Sequence, residues 1–377
     1  MRHSHIMNER LRSCVEDEML MYSTLAYGSS CLAWSVGRIE ENRTPEYFIG
    51  KAMQAVRIRL SEKNAGQAPD TWLLLSVYAL TITEFWSAMP EIWTKCPTRY
   101  TSVPSSNKRN VLRTARIHMC ALVRLVENAG GWESVDSYVL ESSILADKYM
   151  ALYEMTMPVI PLTWDPGPMS KARQDELQIQ PHSTLPQLGK KLLKIQMCYQ
   201  LARVIGDVID FARVAHCTWS HADRLTSLDE NWLFLQHQAL VYRLLSLGDS
   251  LQPLDNCVRI TTLLFLLNAT EYHGAYVSAR MTLQHSISAL VRARFWEEDD
   301  LGYGQGVVRW CICTGAMTLE PSRERDWFRG VLVRFSSSSS SVWTEDAFRE
   351  GLEPYLFLVE KQKGQLSGLI ESLFSET

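Results

Sequence analysis

A chain of 377 residues, 46% hydrophobic and 21% charged, has enough apolar surface for one large or two ordinary domains, which excludes intrinsic disorder. Its net charge of -4 shows no general basic excess directed at nucleic acid. No apolar run approaches the roughly 20 residues of a membrane helix, since the best one, 258–270, is broken by Arg259, Thr261 and Thr262.

Residues 1–17 lack the apolar stretch of a signal peptide, so the protein is expected to stay inside the cell. Nine cysteines (Cys14, Cys31, Cys96, Cys120, Cys198, Cys217, Cys257, Cys311 and Cys313) are scattered, and none forms a C-x-x-C pair. Most sit in apolar runs and are expected to act as small buried hydrophobes.

Periodicity predicts helices from the start of the chain: 16–36, then 45–61, where Pro45 suits a first turn behind Thr44. The segment 70–85 is apolar nearly all round and reads as a buried helix capped by Asp70. After a break over 90–107, Val111, Ala115, His118, Leu122 and Leu125 form an apolar stripe that Gly130-Gly131 should end in a left-handed cap. A helix over 137–154 follows.

Six of the 14 prolines lie between Pro158 and Pro186, which predicts a long irregular loop. Beyond it, stripes at Met197, Leu201, Val204, Ile205, Val208 and Ala212, and at Leu283, Ile287, Leu290 and Val291, are helical. Further helices are expected over 230–247, 255–279, 306–319, 323–335 and 344–361. The serine run 336–341 reads as a mobile insertion. No hairpin chemistry is present, so strands should be few. The fold class is therefore all-α: a large, irregular helical domain with an N-terminal half over 16–157, a Pro-rich loop over 158–187 and a C-terminal half over 188–377.

The motifs of common enzymes are missing: no nucleophile elbow, P-loop, HExxH or dinucleotide glycine pattern occurs, and no enzymatic activity is expected. Gly302-x-Gly304-x-Gly306 precedes a helix without a strand before it and reads as a turn. His216, Cys217 and His221 are close in sequence, but zinc would want a fourth ligand. Glu297-Glu298-Asp299-Asp300 is acidic, yet consecutive carboxylates fan around a helix. Only Asp207 and Asp210 are available to face them, and those suit a salt bridge or polar edge.

Lys108, Arg109, Arg113 and Arg116 make a basic helix face that either contacts phosphates or is simply solvated. Trp72, Trp86, Trp93 and Trp164 either line a ligand pocket or fill helical core.

An ordered series of segments adds to this. Tyr27-Gly28-Ser29-Ser30-Cys31-Leu32-Ala33-Trp34 is followed by Tyr47-Phe48 with Lys51-Ala52, by Asp70-Thr71-Trp72-Leu73-Leu74-Leu75, and by Glu84-Phe85-Trp86. Then come Arg116-Ile117-His118, Leu122-Val123-Arg124-Leu125-Val126, Gly130-Gly131, Ser143-Ile144-Leu145-Ala146-Asp147 and Pro158-Val159-Ile160-Pro161. Segment 310–315 and Arg323-Glu324-Arg325-Asp326-Trp327-Phe328 complete it.

The series, spanning roughly 16–357, resembles the fungal-specific transcription factor domain found C-terminal to zinc binuclear cluster DNA-binding domains. The resemblance implies an all-helical nuclear regulator that acts on the transcription machinery or another regulator, as a homodimer or under a small-molecule effector. It implies no cofactor here, because the six zinc-binding cysteines of such factors, in two C-x2-C-x6-C halves, do not occur in this chain. DNA would be reached only through a domain outside it, and an upstream segment encoding that cluster is expected. The competing functions are a helical isoprenoid-type synthase, which needs two facing acidic motifs, and a stand-alone scaffold that receives partner helices in an apolar groove.

Overall fold

The computed structural model describes residues 4–36, 45–62, 70–87, 105–180, 183–220, 224–248, 251–269, 287, 303–317, 323–337 and 344–374. Among them every regular element is helical. The helices are α1 (Ser4–Ser13), α2 (Glu18–Val36), α3 (Pro45–Ser61), α4 (Thr71–Ser87), α5 (Ser105–Asn128), α6 (Ser137–Glu154) and α7 (Lys171–Glu176). They continue with α8 (Tyr199–Ser220), α9 (Ser227–Ser246), α10 (Pro253–Ala269), α11 (Tyr303–Met317), α12 (Arg323–Ser337), α13 (Glu345–Leu352) and α14 (Val359–Phe374). The all-α expectation holds. The stripe at Leu283–Val291, apart from a helical, buried Ile287, lies outside the described residues, as does most of the serine run.

The chain forms two compact units, Met1–Met150 with Pro158–Pro161, and Ala151–Met157 with Leu162–Thr377. Of the Pro-rich span, Pro158–Pro161 belong to the first unit and the part from Leu162 onward to the second, with α7 inside it.

In the first unit α4 packs against α2, α3 and α5. Its residues Leu73, Leu74, Leu75, Val77, Leu80, Ile82 and Phe85 are all buried, so the reading of an apolar helix buried all round is correct. Its polar residues do not spoil that burial. Thr81 and Thr83 donate to the carbonyls of Val77 and Ala79 at 2.8 and 2.7 Å, the usual way a helix absorbs a hydroxyl. Asp70 caps it, accepting the Leu73 amide at 2.8 Å. Gly130 and Gly131 close α5 at φ of +100° and +91°, with the Gly131 amide returning to the Val126 carbonyl at 2.9 Å.

One buried charge organises the end of this unit. Asp147 on α6 is wholly inaccessible; its Oδ1 accepts from Arg116 at 2.6 Å, and its Oδ2 accepts the amides of Val159 and Ile160 at 2.6 and 2.7 Å. Burial pushes its carboxyl upward, while the Ile160 amide and the Arg116 guanidinium pull it back. A protonated oxygen would have to donate, and each of these partners is itself a donor. The carboxylate is the form the geometry fits.

In the second unit the α8 stripe is buried as predicted: Leu201, Val204, Ile205, Val208 and Ala212 join Val258, Leu263 and Leu264 of α10 in one core. Trp310 of α11 stacks on Tyr355 at 5.8 Å and donates to the Leu356 carbonyl at 3.1 Å. Gly306 permits this, since a Cβ there would lie 2.3 Å from the Tyr355 hydroxyl. The predicted single helix over 344–361 is two, α13 and α14, with Pro354 between them. The apolar positions Leu366, Leu369, Ile370 and Leu373 carry α14 beyond the predicted end. α1 was not anticipated; its Arg10 is buried and donates to Thr24 at 3.0 Å.

Two stability experiments follow from the first unit. Arg116→Met leaves the Asp147 charge buried without its cation and should cost about 3–5 kcal/mol in urea unfolding, whereas Arg113→Gln, on the exposed face, should change it by less than about 0.5 kcal/mol. Glu84, at the end of α4, is raised to about 7 by burial, with Glu46 adding to it. The folded chain therefore holds a proton that the unfolded chain has lost, and stability should fall as pH rises from about 4.5 to about 7. Glu84→Gln should flatten that limb.

Candidate functional site

The polar cavity of the second unit is built by three segments. The Pro-rich loop contributes Asp165, Gly167, Pro168, Met169 and Gln174; α8 contributes Arg203, Asp207, Asp210, Phe211 and Val214; α9 contributes Trp232, Gln236 and Arg243. Its volume is about 410 Å³, enough for a small organic molecule. The α8 residues recur at steps of four and three, so a single helix face turns one row to the cavity while the adjoining row enters the core.

The loop keeps its place through specific bonds. Trp232 Nε1 donates to the Gly167 carbonyl at 3.0 Å, and Gly167, at φ +64°, takes an Asx turn in which its amide donates to Asp165 Oδ1 at 2.9 Å. Met169, Leu177, Ile179 and Val214 form a small buried cluster against Trp232 and Cys217. Arg173 of α7 grips Asp229 with two bonds, Nε to Oδ1 at 2.8 Å and an amino nitrogen to Oδ2 at 2.5 Å. The same Asp229 closes a capping box with Thr226 at the start of α9. Arg173 holds the Asp229 carboxyl well below the usual carboxylate range, against burial, with Thr226 helping.

Two kinds of surface meet in the cavity. Phe211 and Trp232, 6.0 Å apart with planes tilted by 47°, give an aromatic wall. The charged rim is largely paired internally: Arg243 bonds Asp207 at 2.8 Å and reaches Asp165 at 3.4 Å, and Asp210 lies 3.4 Å from Arg213. Between wall and rim lies Gln236, 5% exposed, whose Oε1 is buried and accepts from no described residue. A buried amide oxygen without a donor is a costly feature, and its position on a cavity wall gives it a use. Among the described residues the lining holds no histidine, cysteine, serine or lysine, and its titratable groups are Asp165, Asp207, Asp210, Arg203 and Arg243.

The tryptophans singled out from the sequence do not converge. Trp72 and Trp86 are half-buried on α4 in the first unit, and Trp86 stacks on Tyr27 at 5.5 Å. Trp164 belongs to the second unit but does not line the cavity, and Trp93 lies outside the described residues. The aromatic that matters here is Trp232, which the sequence reading missed; its signal was the polar run Gln236-His237-Gln238 one turn further along, set between the apolar stretches 232–235 and 239–242 of the helix.

The basic face divides. Arg113 is exposed, Arg116 is committed to Asp147, and the side chains of Lys108 and Arg109 lie outside the described residues. Asp207 forms the salt bridge expected of it. The acidic run 297–300 and His221 are not described. His216 lies 3.7 Å from Glu360, and Cys217 bonds Thr184 at 3.4 Å. Among the described residues no three His, Cys, Asp or Glu side chains are grouped to hold a metal, and no helix is long and apolar enough to cross a membrane. Of the seven cysteines whose side chains are described only Cys257, Cys311 and Cys313 are buried, and Cys120 is exposed, so the expectation of buried thiols holds in part. Burial pushes the Cys313 thiol up to about 12.

No protein-family model matches the chain, and comparison with curated proteins and with solved structures gives no match either.

Because the folded state holds Asp229 ionised to lower pH than the unfolded state does, its contribution is present above about pH 4 and is lost as pH falls through and below that value. Urea unfolding followed from pH 6 to pH 2.5 should show this acid limb, and Asp229→Asn should shrink it while lowering stability at pH 6. Gln236→Leu removes the donorless amide at nearly constant volume; it should leave stability unchanged or raise it by up to about 2 kcal/mol, where Phe211→Ala should cost about 3–5 kcal/mol.

Proposed function

We propose that the chain is the regulatory domain of a transcription regulator of the kind it resembles. It works in the nucleus without catalysing a reaction, and it responds to a small molecule received in the second-unit cavity. The resemblance in segment order is one support. The observation that carries the effector reading is Gln236, a donorless buried amide set between an aromatic wall and an ion-paired rim. Such a site can orient a ligand without transforming it. The pairing of Asp207 with Arg243 favours a polar rim over a magnesium ligand and so weighs against the synthase alternative. DNA is reached through another domain or another protein, which the regulator influences.

A fusion of the full chain to a heterologous DNA-binding domain tests this. Reporter output should depart from that of the DNA-binding domain alone. Gln236→Leu should shift that output while leaving the melting temperature the same or higher. Output equal to the bare DNA-binding domain for both forms would count against the regulatory reading.

A further inference from the structure

The second cavity of note lies wholly in the first unit and is of the opposite character. It is a groove of about 640 Å³ between α3 and α5, with Val77 and Leu80 of α4 in its lining. Val56, Val77 and Leu80 are buried, while Ile117 on one bank is 58% exposed and Leu60 on the other is 41% exposed. Among the described residues four arginines line it and no carboxylate does. Arg116 turns to Asp147, but Arg57, Arg113 and Arg124 are exposed and form no ion pair with any described residue. The chain as a whole is acidic, at -4, so this cationic border is a local feature.

We propose that this groove docks an acidic amphipathic α-helix of a partner protein. The inference is independent of the effector cavity. Charge complementarity and length select the occupant. On α5 the lining residues run from Arg113 to Asn128, about 22 Å at 1.5 Å per residue, or four turns. Arg113 and Arg124 are about 16 Å apart along that axis, and Arg57 stands on the opposite bank. A fatty acid would satisfy the floor, but its single carboxylate meets only one arginine. A helix with an apolar stripe meets the floor along its length and carries acidic residues on both edges, one for each bank. His118 adds a buried Nδ1 with no partner among the described residues to the same lining, a polar contact for a side chain at the stripe's centre. The exposed Ile117 fits the apolar anchor position of such a contact.

The test uses the full chain and a fluorescent 18-residue peptide with leucines at i, i+3, i+4 and i+7 spacing and glutamates elsewhere. Its lysine counterpart has every glutamate replaced. Anisotropy should show saturable binding of the glutamate peptide, weakened by added salt, and at least tenfold weaker or absent binding of the lysine peptide. The double variant Arg113→Glu with Arg124→Glu, both on exposed positions that leave the fold intact, should lose the glutamate peptide tenfold or more and gain the lysine peptide. Ile117→Lys should weaken the glutamate peptide as well. No binding of the glutamate peptide, equal binding of the two peptides, or indifference to the charge reversal would overturn the proposal. Displacement of the peptide by stoichiometric palmitate, with sensitivity to Arg113 alone, would assign the groove to a fatty acid instead.

Discussion

The Arg173–Asp229 pair is the interaction on which the second unit's cavity depends. Asp229 does two jobs with one carboxylate: it completes the capping box that starts α9, and it receives both bonds of the guanidinium that anchors α7. The loop carrying Asp165, Gly167 and Met169 is rich in proline and cannot hold itself by a regular ladder of backbone bonds. It is held by side chains instead. Removing the anchor would free one wall of the cavity and fray the helix that carries Trp232 and Gln236. A site of this construction is positioned by electrostatics at its base and by packing only at its centre.

The first unit uses the same device independently. Asp147 gathers a guanidinium and two backbone amides, and those amides belong to Val159 and Ile160, in the first stretch of the same Pro-rich span. In each case part of the Pro-rich span is fixed by a buried or nearly buried carboxylate that accepts from an arginine distant in sequence. The geometry also explains why these acids matter more than their neighbours. A pair with access to solvent, such as Arg349 with Asp346, can separate into water at little cost, whereas Asp147 is wholly inaccessible.

What was legible in the sequence was what local chemistry decides. The buried helix at α4, its Asp70 cap and the double-glycine end of α5 are set by residues within one turn of each other, and each was read correctly. The break at Pro354 was within reach, since proline removes a donor wherever it falls, but the apolar positions on both sides masked it. The candidate site was scarcely legible. Periodicity put Arg113 and Arg116 on the same helix, yet their different fates depend on Asp147, 31 residues from Arg116. Tryptophans drew attention by type, but what builds the cavity is the meeting of Trp232 with Gly167, 65 residues away. Contacts at that separation leave no mark in periodicity. The one sequence signal was indirect: the polar residues Gln236, His237 and Gln238 set between two apolar stretches of one helix.

The distinction between committed and uncommitted polar groups then separates structure from function better than residue type does. Arg116, Arg173 and Arg243 all have carboxylates within hydrogen-bonding reach, and their charges are accounted for by folding. Arg57, Arg113, Arg124 and the Gln236 oxygen are not so engaged by any described residue. An exposed arginine alone is unremarkable, because water solvates it. Three of them bordering an apolar groove differ, since any apolar partner that fills the floor must bring the arginines out of part of their water and replace it. Likewise a buried amide oxygen without a donor is tolerated only if its cost is offset elsewhere. The two cavities thus differ in what folding leaves unengaged: a buried amide oxygen beside an ion-paired rim in the second unit, and exposed arginines around an apolar floor in the first.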